Sequence, residues 1–154
     1  MENADIKWEE IVSKDGFYIT SVIPSTSATT STNYGVFFTA FWPCEVIGVS
    51  ETHDVAGTDA GAVTLQLERL KPSVASGAGE NILTTAFNLK STANTPVEQS
   101  GFDFVRTPST VDGLQPRQLD AGDRLGLKTS GVLTSVDQVS VTVYLKHSGR
   151  GDYR

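Results

Sequence analysis

The last third of the chain carries its most regular alternation of apolar and polar positions. In "VSVTVYLK", residues 139–146, the apolar set is Val139, Val141, Val143 and Leu145, and the polar set is Ser140, Thr142, Tyr144 and Lys146. Because successive side chains of a strand point to opposite faces, this period predicts a strand with one buried and one wet face. Upstream, "AGD" is turn chemistry, since Gly122 tolerates positive φ and Asp123 can cap a turn. The segment "RLGLK" places Leu125 and Leu127 inward, which completes a predicted hairpin.

Similar patterns occur earlier in the chain. Strands are predicted at residues 16–24, 34–42, 45–52, 62–70 and 82–89. In "AVTLQLERL" the alternation predicts that Val63, Leu65 and Leu67 point inward and that Thr64, Gln66 and Glu68 point outward. Residues 90–116 are punctuated by Pro and Gly, which favours a long irregular connection with one short strand near residues 102–106.

Seven or eight strands with no helix between them predict an all-β fold. The expected architecture is an antiparallel β-sandwich, jelly-roll-like, with a short N-terminal arm. We assign residues 1–16 to the arm, 17–147 to the sandwich domain and 148–154 to a flexible C-terminal tail. In the arm, Trp8, Ile11 and Val12 would share one face of a predicted short helix. This face either packs across the edge of the domain or docks on a neighbouring subunit or partner.

The composition restricts the possible partners. Net charge is −6 and no basic run occurs, so nucleic-acid binding is not expected. No apolar run approaches the length of a membrane span, so no membrane partner is expected either. A single cysteine excludes an internal disulfide, and the acidic start does not resemble a secretory signal. These features suit a soluble protein made in a cytoplasm.

Few residues offer chemistry. His53 and His147 are expected to be a loop histidine and a solvated strand end, and Cys44 a small core residue. The glycine-rich "SGAGEN" lacks the features of a phosphate cradle and is read as a hairpin tip. Arg150-Gly151-Asp152 is read as an incidental part of the tail. We therefore predict no catalytic residues, no metal ligands and no cofactor.

Aromatic residues between 34 and 42 are the nearest approach to a functional signal. They fall on both faces of the predicted strand, so that about half would lie in the core and the rest would form an exposed patch. Large exposed apolar patches mark interfaces. The interface candidates are Phe37, Phe41 and Trp42, together with Trp8 and Ile11 in the arm.

Three segments carry a resemblance to small β-sandwich proteins of tailed bacteriophages. They are "AVTLQLERL", "GENILTTAFNLKSTANTPV" and "LDAGDRLGLKTSGVLTSVDQVSVTVYLK", within residues 62–146. These segments resemble head decoration, or cement, proteins, and the last hairpin is also similar to trimeric jelly rolls of the tumour-necrosis-factor and C1q type. The resemblance implies a homotrimer on the virion surface that binds the major capsid protein and has no catalytic residues.

Two other classes of function remain open. A phage tail, fibre or carbohydrate-binding module would place aromatics on a loop or concave face, and Phe102 and Phe104 are the candidates. An enzyme, such as a hydrolase or a cupin-like metalloprotein, would need more clustered histidines than two distant ones.

Overall fold

The computed structural model describes residues 16–24 and 33–149. The arm residues Trp8 and Ile11 and the Arg150–Asp152 tripeptide lie outside this part. The strands are β1 (Phe17–Ile23), β2 (Asn33–Thr39), β3 (Cys44–Thr52), β4 (Thr64–Leu70), β5 (Glu80–Asn81), β6 (Phe87–Asn88), β7 (Val97–Ser100), β8 (Gln118–Leu119), β9 (Arg124–Ser130) and β10 (Val139–His147). A single 3₁₀ turn, Gly101–Asp103, is the one helical element among the described residues.

The strands form two antiparallel sheets. The first sheet has the order β1-β10-β3-β7, and β8 also pairs with β3. The second has the order β2-β9-β4-β5, and β6 also pairs with β4. The first four strands alternate between the sheets, and one cluster of buried apolar side chains fills the space between the sheets.

The pairing pattern is that of one long hairpin wrapped into a sandwich. β1 pairs with β10 and β2 with β9, while β3 pairs with β7 and β8 and β4 with β5 and β6. Wrapping then brings β10 against β3 and β9 against β4. This arrangement is a jelly roll, and the predicted antiparallel sandwich is confirmed.

The predicted C-terminal hairpin is wrong as a pairing, because β9 lies in the second sheet and β10 in the first, but the predicted alternation of β10 is confirmed. In β10, Val139, Val141, Val143 and Leu145 are buried, and the intervening residues are partly or fully exposed. Gly122 has φ +93°. The carboxylate of Asp123 accepts a hydrogen bond of 2.9 Å from the N–H of Asp120, which closes the turn.

The outward side chains of β4 differ from the prediction, because Gln66 and Glu68 are buried. The carboxylate of Glu68 accepts the N–H groups of Gly77 (2.7 Å) and Gly79 (2.9 Å). The side chain of Gln66 bonds both backbone groups of Leu83 at 3.0 Å. The segment after β4 thus covers the face of β4 that the alternation assigned to solvent. The side chains of Gln66 and Glu68 bond backbone groups of this segment in place of part of the strand-to-strand pairing.

Two further element predictions are wrong. The single strand expected at residues 82–89 is not formed. β5 ends before it at Asn81, β6 covers only Phe87–Asn88, and Gln66 occupies the backbone groups of Leu83 between them. The short strand expected near residues 102–106 lies earlier, as β7. It ends where Gly101 takes φ +56° and Asp103 accepts the N–H of Ser100 at 2.9 Å.

No helix in the described part of the chain has the length and apolar character needed to cross a membrane.

Candidate functional site

The turn between β2 and β3 holds two exposed aromatic side chains. The predicted strand extended to residue 42, but β2 ends at Thr39. Phe41 and Trp42 therefore lie in the turn that follows the strand. Phe41 is 82% exposed and Trp42 is 42% exposed. We call Phe41 and Trp42 the aromatic corner.

Backbone hydrogen bonds fix the aromatic corner on both sides. The N–H of Ala40 donates to the carbonyl of Asp123 at 2.8 Å, and the N–H of Gly122 donates to the carbonyl of Ala40 at 2.7 Å. After the corner, the N–H of Ser148 donates to the carbonyl of Pro43 at 3.2 Å. Ala40 and Cys44 are each 1% exposed, and the position of Cys44 confirms its prediction as a core residue. The two rings are therefore presented by a well-anchored turn.

The other predicted interface residues have different positions. Phe37 is partly buried and packs against the core cluster, as does Phe38. The ring of Phe38 also contacts that of Phe17, with centroids 5.9 Å apart. The register of β2 against β9 shifts at two places, so strict alternation does not hold along β2 and both neighbouring rings pack against the core. Phe37 is thus less available to a partner than either residue of the aromatic corner.

Three carboxylates converge near the end of β4, from Asp112, Asp120 and Asp123. The ammonium group of Lys71 lies among them, in contact with Asp112, 3.0 Å from Asp123 Oδ2 and 3.9 Å from Asp120 Oδ2. Because a side-chain cation already occupies the centre of this group, we regard it as an ionic clamp that holds the loop before β8 against β4.

Arg69 extends the clamp, and its side chain is only 1% exposed. It contacts Glu80, donates to the carbonyl of Gln118 at 2.8 Å, and lies 3.2 Å from Asp112 Oδ2. Burial acts to raise the pKa of Asp112, but the hydrogen bonds from Lys71 and the Leu114 N–H and the charge of Arg69 outweigh it and lower that pKa to about 2. Asp112 therefore stays ionised across the physiological range.

His53 lies in the loop directly after β3, as predicted, and its side chain is fully buried. Its Nδ1 lies 2.9 Å from Glu51 Oε1, and its Nε2 lies 3.1 Å from the carbonyl oxygen of Ser91. A carbonyl only accepts, so Nε2 carries a hydrogen and one further proton is shared between Nδ1 and Glu51. Burial raises the pKa of Glu51, and the hydrogen bond to His53 and its charge partly oppose that shift. Both side chains are shielded from solvent, and this pair supports the fold without reaching a substrate.

His147, expected to be solvated, is 8% exposed. It accepts the N–H of Gly149 at its Nδ1, at 3.2 Å. Position at the end of a strand did not imply exposure here, because the residue lies on the inward-facing register of β10.

The outer face of the first sheet carries a shallow depression with a volume of about 190 Å³. Tyr18 and Tyr144 form one wall, with ring centroids 4.7 Å apart and an interplanar angle of 24°. Gly48 lies in the lining, and Glu98 and Ser100 of β7 lie on the far side. The sequence pattern placed Tyr144 on a wet face but gave no indication of this grouping, since only the register across four strands brings these residues together.

Fold and surface together define a class: a jelly-roll β-sandwich with an anchored aromatic corner and solvent-facing tyrosines. No family model matches the chain, and no curated protein matches it. Among solved structures, the chain is similar to one described as the structure of infectious bursal disease virus Gx strain, with 17% identity and a TM-score of 0.32. The match covers 88% of this chain and 33% of that one, so the chain spans about a third of its length. A likeness at this level assigns the chain to no family.

Proposed function

We propose that the chain is a structural protein of a bacteriophage virion. In this proposal it binds the outer surface of the capsid through the major capsid protein and stabilises the shell, as a decoration or cement protein does. It acts as a homotrimer, catalyses no reaction and needs no cofactor. The observation that carries the proposal is the aromatic corner, and the resemblance within residues 62–146 supports the choice of partner.

Physical chemistry favours the aromatic corner as an anchor for a protein partner. Aromatic side chains bury a large area at low cost in side-chain entropy, and they dominate the energetics of interfaces. The turn is held by backbone hydrogen bonds before and after it, so little conformational freedom would be lost on binding. Phe41 in particular is little buried by its own fold, since its side chain is 82% exposed.

Stabilisation of a shell by such a protein follows from mass action. A ligand that binds the assembled capsid and not the free subunits stabilises the assembly by RT ln(1 + [L]/Kd) per site. A homotrimer would present three aromatic corners, and multivalency would convert weak single contacts into tight attachment. The function therefore needs no reactive group.

The test is binding of the purified chain to expanded capsids that lack it, followed by sedimentation and by capsid heat stability. Phe41→Ala is expected to weaken each contact by about 2 kcal/mol, or about 30-fold, as truncation of an interface aromatic does. Phe102→Ala is a matched control, since Phe102 is also a phenylalanine that is 82% exposed. Absence of capsid binding by the unmodified chain, or equal loss in both variants, would refute the proposal.

The solution mass from light scattering tests the homotrimer separately. A mass of three chains is expected. A monomer that stays monomeric on the capsid would contradict this part of the proposal alone.

A tail, fibre or receptor-binding module remains the alternative function. The residues predicted for its site, Phe102 and Phe104, do not form one. Phe104 is 1% exposed and belongs to the core, so it cannot contact a glycan. Phe102 is exposed but lies beneath the guanidinium of Arg106, 4.0 Å from the ring centroid. The loop of residues 90–116 therefore offers one ring, partly covered, and not a pair.

A further inference from the structure

The residues around the depression on the first sheet lie in register across four strands. One row runs from Tyr18 through Tyr144 and Gly48 to Ser100. The next row consists of Thr20, Thr142, Ser50 and Glu98. An aromatic row thus lies beside a row of hydroxyls that ends in a carboxylate.

The tyrosine wall is held in place. Tyr18 is 70% exposed and stacks on Tyr144. Tyr144 in turn packs over Gly16, where a Cβ would overlap its ring. Gly16 has φ +53°, a conformation that glycine adopts readily. Gly16 therefore supports Tyr144, Tyr144 supports Tyr18, and the ring of Tyr18 stays largely exposed to solvent.

Gly48 leaves the floor of the depression open. It lies inside β3, where glycine costs about 0.5–1 kcal/mol relative to alanine. Its φ is not in the left-handed region, and the nearest atom to an added Cβ would be the carbonyl oxygen of Gln99 at 4.0 Å. The backbone pairing of β3 with β10 is irregular beside it, between Tyr144 and Leu145. A side chain would fit here, and its absence leaves space above the strand, as occurs where a ligand approaches.

We propose that this depression binds a single residue of an uncharged saccharide. A sugar ring has an apolar face of C–H groups that can lie against the tyrosine wall, and hydroxyls that need donors and acceptors at its edge. Ser50, Ser100 and Thr142 supply hydroxyls that both donate and accept, and Glu98 supplies a carboxylate that accepts. A mostly apolar lining with a few polar groups is the usual composition of a small-ligand site.

Charge selects among saccharides. The described residues that line the depression include one acidic side chain, Glu98, and no basic one. Sulfated, phosphorylated or carboxylated sugars would meet a like charge without a cation to neutralise it. The site is therefore expected to prefer neutral glycans.

This saccharide site goes beyond capsid binding and does not depend on it. The depression lies on the outer face of the first sheet, whereas the aromatic corner lies in the turn between β2 and β3. A capsid-bound copy that exposes the first sheet would carry a glycan-binding surface, and the free chain would bind the same sugars.

The experiment uses the purified chain and a panel of neutral oligosaccharides containing glucose, galactose, mannose or N-acetylglucosamine, with sulfated and sialylated counterparts. Binding is measured by saturation-transfer NMR at millimolar sugar and then by calorimetry. At least one neutral member is expected to bind, with its charged counterpart weaker. Absence of binding by every neutral member, or equal binding of a charged counterpart, would overturn the proposal.

Variants locate the site. Gly48→Val fills the floor and suits a strand, and Tyr18→Ala removes one ring of the wall from an exposed position. Each is expected to weaken neutral-sugar binding about tenfold or more, with an unchanged melting temperature or a higher one for Gly48→Val. Val22→Ala is the control, because Val22 is exposed on β1, the strand of Tyr18, and lies outside the depression.

Two outcomes would overturn the proposal while leaving capsid binding intact. One is sugar binding that neither variant changes. The other is loss of the oligomer in Gly48→Val and Tyr18→Ala, which would make this face a contact between copies of the chain. Phe41→Ala is expected to retain sugar binding, so failure of either function can be recognised without the other.

Discussion

Replacing Asp112 by asparagine tests whether the ionic clamp stabilises the fold. Asp112 contacts Lys71 and Arg69, and its Oδ1 accepts the N–H of Leu114 at 3.0 Å. Asparagine keeps an oxygen for Leu114 and removes the charge. Lys71 retains Asp123 at 3.0 Å, so the variant does not leave an isolated cation.

The size of the effect follows from the pKa of Asp112. The pKa of Asp112 falls from its ordinary value of 3.8 to about 2, so folding stabilises the ionised carboxylate relative to the protonated carboxyl. At about 1.4 kcal/mol for each pKa unit, this difference corresponds to about 2 kcal/mol of unfolding free energy at neutral pH. For a domain of this size, the melting temperature of Asp112→Asn is expected to fall by about 4–8 °C.

The pH dependence has a definite sign. Since the folded-state pKa is lower than the unfolded one, the stabilisation is present above about pH 4 and is lost as pH falls towards the folded value. About half should be gone by about pH 3 and most of it by about pH 2. Urea unfolding of both proteins between pH 7 and pH 2.5 measures this directly, because the two stabilities should converge at the acid end.

Asp54→Asn is the control, since Asp54 is exposed and forms no ion pair among the described residues. It should change the unfolding free energy by less than about 0.5 kcal/mol. The reasoning would be refuted if Asp112→Asn had no larger effect than the control at pH 7, or if its deficit persisted unchanged to the acid end.

Three other predictions concern stability and local order. Glu51→Gln should lower the unfolding free energy by less than about 1 kcal/mol, because the amide can donate a hydrogen bond to His53. His53→Ala leaves a buried carboxyl unpaired and should lower the unfolding free energy by about 3 kcal/mol in chemical denaturation. Equal losses in the two variants would argue against proton sharing. Gly131 has φ +93°, and Gly131→Ala should destabilise the fold strongly because the added Cβ would overlap the carbonyl of Ala62. Gly61 has φ +85°, but its added Cβ would meet no atom within 4 Å, so Gly61→Ala should lower the unfolding free energy by only about 1–2 kcal/mol in thermal unfolding. Similar melting temperatures for the two variants would contradict this. Glu68→Gln should speed amide exchange in the loop after β4, measured by mass spectrometry, and unchanged exchange would show that the loop is held by other contacts.

The sequence pattern predicted the fold best where one face of a strand meets water. β10 follows this rule along its whole length, and its alternation matched the observed burial. β4 does not, because the period of two indicates which side chains share a face but not what covers that face. Glu68 points away from the core as predicted, and its burial arises from the loop that binds its carboxylate.

The candidate sites were predictable to different degrees. A surplus of aromatic residues in a short stretch was enough to nominate Phe41 and Trp42, although the end of β2 at Thr39 was missed. The saccharide site depends on strand register, since Tyr18, Tyr144 and Gly48 are distant in sequence and adjacent only through pairing. The burial of His53 was not predicted, because the sequence placed it in the loop after a strand and gave no sign that Glu51 and the carbonyl of Ser91 would be its partners.

The pairing of β1 with β10 has a practical consequence for engineering. Phe17 lies opposite Leu145, so the backbone enters and leaves the sandwich side by side at one edge, with paired Cα atoms about 5 Å apart. A short linker between residues 16 and 149 would close this domain into a circle, and new ends could be opened in a loop of choice. Two cargo peptides, one fused before β1 and one after β10, would emerge together from that edge, which makes the domain a compact carrier for paired display.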